Sequence, residues 1–365
     1  MKSGYNNILI DAVMHLGDLI HATTLIPLLK KEYPNSKISY LVKPELVELF
    51  KNVDGVEHVI AYKYKSKGDY FSVFRMAREI KKYDFDLSIS LDPRLRLSAM
   101  MWLAGIPTRV GSESLFGWKA GGERFFFSDY FRLNEYDVKK HSAAENFQYL
   151  VKLFTHNPNL PFIKPEFNRP LAQNIDYIRK ELNNIPVNSI KVAMCVNTKD
   201  PVRNWPVDKF AELIDQIVEF CDAYIIITGI KEDKNVAEQV MNLVENKKNV
   251  IDFCGKTNLE QLTAFFYYVD LLVHFDNGMG HFAAAAGCPT ITLFSNSDPI
   301  QFKPIQENAM IVGGNSDCIK VCDKNLRETC GFKCLHDISV AMVMQKVDIM
   351  VKHVIKKVDE GIMKK

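Results

Sequence analysis

No stretch of this 365-residue chain approaches the ~18 consecutive apolar residues of a membrane-spanning helix. Its best apolar runs, 224–228 and 271–275, have the length of strands. An excess of one charge is also missing. With 46 Lys and Arg against 44 Asp and Glu, nothing points to nucleic-acid binding. The amino terminus, MKSGYNNILIDAV, has one Lys and no long apolar core before a cleavage site, so it does not read as a secretory signal. There is no short internal repeat and no low-complexity tract. A hydrophobic fraction of 47% excludes global disorder. What these absences leave is a soluble, cytoplasmic protein, and at roughly 100–200 residues per domain the length implies two domains.

What is present is alternation. Residues 7–13 (NILIDAV) read as a strand and 19–33 as one helix. Strands at 37–42, 56–61 and 86–91 follow, with helices at 44–50 and 70–82 between them. Such alternation predicts a parallel sheet covered on both faces. From 111 to 141 the pattern turns irregular, a surface loop region or a binding excursion from the sheet. The segment 156–167 (HNPNLPFIKPEF) holds three prolines and reads as a linker. Alternation then restarts, with strands at 190–196, 223–228, 250–253, 271–275 and 290–294 and helices between them. A long amphipathic helix spans about 339–357. The expected division is a domain over 1–165, a second over 166–345 and a terminal helical segment over 346–365.

In an open parallel sheet, ligands bind beyond the carboxyl ends of the strands. Three loops there carry chemistry. In the first, residues 14–18 (MHLGD), Asp18 is either an N-cap for the next helix or a general base. The loop has no G-x-G-x-x-G pattern, so a simple dinucleotide site is not indicated. The second, 197–206 (NTKDPVRNWP), offers Asn197, Thr198 and Arg203 at a helix entrance. Those groups suit a diphosphate, since Arg contacts phosphate oxygens at two points. Its alternative is a solvated loop with Trp205 packed beneath. The third, 276–281 (DNGMGH), runs from a strand into a helix of small residues. Its two glycines allow close backbone approach, and the helix start directs amides and positive potential at an anion. His281 is either a ligand contact or simply a helix-start residue. Asp276 is placed to hold a sugar hydroxyl or to align the loop.

The stretches GDLIHATTLIPLLKKEYPNSKI (17–38), NTKDPVRNWPVDKFAELI (197–214), ITGIKED (227–233) and CGKTNLEQLTAFFYYVDLLVHFDNGMGHFAAAAGCPTITLFSNSDP (254–299) together resemble glycosyltransferase family 9, the lipopolysaccharide heptosyltransferases. The resemblance implies an α/β fold of the GT-B kind, two Rossmann-like parallel-sheet domains facing a central cleft. The first would bind the acceptor and the second the nucleotide sugar. The implied reaction is inverting, metal-independent transfer from a nucleoside-diphosphate sugar, with ADP-heptose favoured, onto a lipopolysaccharide core or related glycan. By residue match, Asp18 is the implied base. Asn197, Thr198 and Arg203 match phosphate contacts, and Glu232 matches an acidic residue that holds the ribose. Asp276, Asn277, Gly278 and His281 match the loop around the donor sugar and diphosphate. Asn277 departs from the usual Ser or Thr, Gly280 from the common small-residue pattern and Phe282 from Leu. An isomerase on the same fold, such as a nucleotide-sugar 2-epimerase, would need a further acid/base pair near the donor sugar. A non-catalytic nucleotide-sugar sensor would have no use for Asp18.

Acceptor contacts are expected from a basic stretch, since residues 62–141 hold 15 Lys or Arg against 10 Asp or Glu. Lys63, Lys65, Arg94 and Arg96 are the candidates. They suit an anionic glycolipid or glycan and peripheral contact with the inner membrane, though an ordinary solvated face has the same composition. Phe125, Phe126 and Phe127 are either core or an interfacial wedge. Asp84 and Asp86 have the D-x-D spacing of metal-dependent transferases but stand at a strand start. Cys195, Cys221, Cys254 and Cys288 read as small core residues. Cys318, Cys322, Cys330 and Cys334 form a C-x3-C-x7-C-x3-C cluster, read either as a structural zinc or iron site or as buried thiols. No cofactor is expected in catalysis.

Overall fold

The computed structural model describes residues 4–51, 53–63, 69–91, 94–113, 115, 123–133, 136–167, 169–198, 204–295, 297–313, 330 and 333–359. The chain divides into two compact units, Met1–Glu166 and Phe167–Lys365. Among the described residues, no helix is long and apolar enough to cross a membrane.

The first unit runs β1 (Asn7–Asp11), α1 (Leu16–Ala22), α2 (Leu25–Glu32), β2 (Lys37–Val42), α3 (Val47–Lys51), β3 (Val56–Ala61) and α4 (Tyr70–Lys81). It continues with β4 (Leu87–Ser90), α5 (Leu95–Leu103), β5 (Thr108–Ser112), β6 (Asp129–Phe131) and α6 (Ala143–Thr155). The second runs α7 (Ala172–Glu181), β7 (Lys191–Met194), α8 (Val207–Cys221), β8 (Tyr224–Ile227), α9 (Lys234–Leu243), β9 (Val250–Asp252), α10 (Leu259–Tyr268) and β10 (Leu271–Phe275). It ends with α11 (Gly278–Ala285), β11 (Thr290–Phe294), α12 (Pro299–Phe302), β12 (Ala309–Gly313), α13 (Lys333–His336) and α14 (Val340–Asp359).

Both sheets are six-stranded and parallel, in the orders β3-β2-β1-β4-β5-β6 and β12-β11-β10-β7-β8-β9. Read from the opposite edge, the second order has the winding of the first. That is the doubly wound Rossmann-like arrangement, and each sheet reverses its strand order once. The reversal lies between β1 and β4 in the first unit and between β7 and β10 in the second. Helices on both faces bury the central strands; all five residues of β10 and of β11 are buried. In the first unit α4 and α5 cover one face, while α1 and α2 pack with α6.

Two elements differ from the sequence expectation. The single helix over 19–33 is two, α1 and α2. Pro27 explains the break, because in a continuous helix its ring would meet the carbonyl of Thr23. The break instead puts Pro27 in the first turn of α2, and the Thr23 and Thr24 hydroxyls bond back to the Ile20 and His21 carbonyls, each at 2.7 Å. The irregular stretch from 111 contains the end of β5 and the edge strand β6, which is too short to show a period. The long helix expected over about 339–357 spans Val340–Asp359, and its Val343, Val347 and Met350 enter the core of the second unit.

Trp205, 1% exposed, lies in that same core, and its Nε1 donates to the Ile338 carbonyl at 3.0 Å. Of the four dispersed cysteines, Cys195, Cys254 and Cys288 are buried, while Cys221 is half-buried at the end of α8. The Asp86 carboxylate accepts the amides of Asn6 and Asn7 at 2.8 and 3.0 Å, so this half of the D-x-D pair ties the start of β1 to that of β4.

Candidate active site

In the first unit, β1 and its neighbours bring several predicted residues to one strand end. β1 runs through Val13 into α1, whose N-cap position is held by His15. Asp18 is therefore not the cap. It stands half-buried in the first turn, where the amino end of a helix favours negative charge. From β2 comes Lys43, whose Nζ lies 3.3 Å from His15 Nδ1. From the β4 side, Arg94 Nη2 donates to the Val13 carbonyl at 2.6 Å. Ser90 donates to the Asp11 carboxylate at 3.1 Å, and Asp11 is fully buried. These groups gather at the carboxyl ends of β2, β1 and β4, beside the reversal of strand order. Lys63 follows β3 and is exposed; Arg96 lies over the ring of the adjoining Tyr62, 5.9 Å from its centroid. Lys65 lies outside the described residues.

In the second unit, the loops after β7 and β10 leave neighbouring strands at the same level, Met194 being opposite Val273. After β7, side chains bond to one another. Asn204 Nδ2 donates to Asn197 Oδ1 at 2.6 Å, and Asn197 Nδ2 donates to Asp233 Oδ1 at 2.7 Å. The Thr198 amide donates to Asn204 Oδ1 at 2.8 Å. Asp233 takes the Ile230 amide on its other oxygen at 2.8 Å. Asp233 thus ties the Asn197–Thr198 loop to the turn Lys231–Asp233, on which Glu232 is exposed. Arg203 lies outside the described residues.

After β10, residues 276–279 are half-buried and α11 begins at Gly278. Asn277 caps that helix, accepting the Met279 amide at 3.0 Å. An Asn performs this task as well as Ser or Thr, which accounts for the departure at this position. The amides of Gly278 and Gly280 also belong to the first turn, where an α-helix supplies no acceptor of its own. Gly280 packs on the buried His274, and a Cβ there would overlap the imidazole. His274 is fixed by the Phe275 carbonyl at Nδ1 and by Thr292 Oγ1, 2.9 Å from Nε2. Burial pushes His274 down to about 3 and His281 down to about 4. Both are neutral near pH 7, so His281 can offer a hydrogen bond but not a cation.

This geometry accompanies a match over residues 73–336 to the family model described as glycosyltransferase family 9 (heptosyltransferase). The chain belongs to glycosyltransferase family 9. It is 24% identical over 360 residues to lipooligosaccharide heptosyltransferase 2 of Haemophilus influenzae, covering 94% of this chain and 98% of that protein. Its fold is similar to that of the family 9 glycosyltransferase of Veillonella parvula, with a TM-score of 0.81 and 22% identity over 97% of this chain and 99% of that one. It is also similar to E. coli ADP-heptose lps heptosyltransferase II, with a TM-score of 0.77 and 17% identity over 95% and 99% of the two chains. The fold is accordingly α/β, with two Rossmann-like sheets of the GT-B kind, and the protein is a glycosyltransferase enzyme.

In this family 9 enzyme, Asp233, Asn204 and Asp11 are residues that the sequence did not single out. Asp233 adjoins the predicted Glu232, and a Cβ on Gly229 would run into its carboxylate, so the pair Gly229–Asp233 was the available signal. Asp11 was visible only as a lone carboxylate in an apolar strand. Of the cysteine cluster, Cys318 and Cys322 lie outside the described residues; Cys330 and Cys334 are half-buried. Among the described residues, no group of three or more His, Cys, Asp or Glu is placed to hold a metal. A cavity of about 750 Å³ opens at the other end of the second sheet, lined by Ile175, Lys191, Tyr267, Tyr268, Asp270 and Pro289. None of the predicted residues lines it.

Proposed function

We propose that the enzyme transfers a heptose from ADP-heptose to a lipopolysaccharide core or a related glycan, with inversion and without a catalytic metal. The observation that carries this is positional. The first unit's Asp18 and the second unit's loops after β7 and β10 lie at carboxyl strand ends beside the reversals of strand order, where such sheets bind ligands. The names of the matched heptosyltransferases support the choice of sugar and acceptor.

In this reaction Asp18 accepts the proton of the acceptor hydroxyl. The hydroxyl oxygen forms its bond to the anomeric carbon while the bond from that carbon to the diphosphate breaks. One carboxylate base and one displacement give inversion. Asn197, Thr198 and Arg203 hold the diphosphate, and Glu232 holds a ribose hydroxyl. Asp276, Asn277, Gly278 and the neutral His281 surround the sugar and the leaving group. Charge gathering on that leaving group meets the first-turn amides of α11 and the Arg203 guanidinium. Lys63, Lys65, Arg94 and Arg96 are the acceptor contacts in this scheme. Peripheral contact with the membrane is part of the same proposal. The cysteine cluster takes a structural role as ligands of zinc or iron, with metal retained by the purified protein; a metal-free, fully folded preparation would end that assignment.

The test uses a thermal-shift panel of nucleoside diphosphates followed by transfer assays on a heptose-deficient core. ADP should raise the melting temperature most, since a ligand confined to the native state stabilises it. Asp18→Asn should keep that shift and lose transfer. Sugar release or epimerisation from donor alone, with no acceptor product, would replace this scheme with isomerase chemistry.

A further inference from the structure

Exposed apolar surface is spread unevenly over the first unit. Among the described residues, seven of its eight exposed large apolar side chains lie on α4, α5 and the 3-10 turn Glu123–Phe126. Grouped apolar surface of this kind marks a contact face. α4 and α5 pack side by side and bury their inner sides in one core, through Val73, Met76 and Ile80 and through Leu97, Met100 and Met101. Their outer sides therefore point the same way. α4 presents Phe71, 88% exposed, and Phe74; α5 presents Leu95, Trp102 and Leu103. Trp102 meets Phe126 edge-on, with centroids 5.8 Å apart, which joins the turn to α5. The neighbouring ring, Phe125, is 90% exposed. The triple-Phe run is thereby split, because Phe127 is buried.

Cations stand among these rings. Arg75, Arg78 and Lys81 are exposed on α4, as is its C-cap Lys82, and Arg124 is exposed on the turn. The acidic residue on the outer side of α4 is Glu79, which pairs with Lys82 at 2.8 Å. Positions 71, 74, 75, 78 and 82 share one helical face, so rings and charges meet the same partner. Arg and Lys can lay their stems along apolar surface while their charged ends reach phosphate, and aromatic rings favour the headgroup level of a bilayer. Rings that project from three separate elements need a partner that deforms around them. A bilayer does so, whereas a folded protein would need a matching pocket for every ring.

We propose that this face docks the enzyme on an anionic phospholipid bilayer, with the rings entering the headgroup layer and the cations pairing with lipid phosphates. The proposal locates the membrane contact on named elements and rests only on their exposure and charge, not on the donor or acceptor assignments. The test is flotation of the full chain with vesicles of phosphatidylglycerol and phosphatidylethanolamine, against vesicles of phosphatidylcholine alone. The chain should float with the anionic vesicles only, and less at high salt. The triple variant Phe71→Ser, Phe74→Ser, Phe125→Ser should bind roughly tenfold or more weakly, since burial of apolar area supplies part of the affinity. Arg75→Gln with Arg78→Gln should weaken binding roughly fivefold per charge, the equivalent of about 1 kcal/mol each. All these side chains are exposed, so both variants should fold and should transfer sugar to a soluble acceptor fragment at the unaltered rate. Equal binding to both kinds of vesicle, or wild-type binding by the triple variant, would overturn the proposal. So would a dimer in sedimentation that the Phe variant dissociates, or lost transfer to the soluble fragment. Flotation needs no substrate, so failure of the proposed transfer reaction would leave its result standing.

Discussion

At the reversal of the first sheet, three strands contribute charged groups of both signs: Asp11, Asp18, Lys43 and Arg94. At the reversal of the second, among the described residues, Asn197 after β7 bonds to Asn204 and to Asp233 of the turn after β8. The strand order is shared and the chemistry at its end is not. Side chains already bonded to one another are held in place before any ligand arrives, which lowers the ordering cost of binding. A half-buried carboxylate in a helix's first turn is better suited to a proton that moves.

That contrast can be broken in order of expected effect. Asp18→Asn should lower kcat by roughly 10³-fold while leaving donor affinity near wild type, as expected for loss of a general base. A modest fall shared by kcat and KM would show that the first unit is not where the proton goes. Asp233→Ala should act in the other parameter. It releases Asn197 and the Ile230 amide, and raises donor KM by about tenfold with little change in kcat, in keeping with loss of hydrogen bonds to a charged group. If it lowers kcat alone, the network belongs to catalysis and the division between the units fails.

The smallest effect concerns pH. His274 and His281 are neutral in the folded chain down to about 3 and about 4, whereas an unfolded histidine takes up its proton near 6.5. Below about 6.5 the unfolded state therefore binds more protons, so these two groups withdraw stability as pH falls and restore it as pH rises. Between pH about 6.5 and about 5 the loss is roughly 2 kcal/mol per histidine. Urea midpoints for the second unit should fall over that interval. His274→Asn should remove about half of the slope; an unchanged slope would mean that neither buried imidazole governs acid stability.

Much of the fold was legible because parallel strands buried on both faces leave short apolar runs, as at 271–275 and 290–294. The loops after β7 and β10, proposed here to hold the donor, stood out because their residue types match a family pattern at the same chain positions. What escaped was set by tertiary context. Pro27 decides where one helix becomes two, yet in sequence its position within a run of apolar residues hid it. β6 has three residues and exists because β5 lies beside it. Asp233 acquires its role only when the turn after β8 folds back against the loop after β7, which spacing alone does not reveal. The aromatic residues of α4 read as one side of an amphipathic pattern, and only the burial of Val73, Met76 and Ile80 shows that Phe71 and Phe74 occupy the other side.

The bond from Trp205 to the Ile338 carbonyl has a consequence for the order of events during synthesis. The Trp205 indole finds its partner in a carbonyl translated more than a hundred residues later, and α14 then supplies Val343, Val347 and Met350 to the same interior. The core under α4 and α5 is built from residues that all precede Phe167, so it can form before the second unit has been made. The second unit has to wait for α14 before its interior is complete.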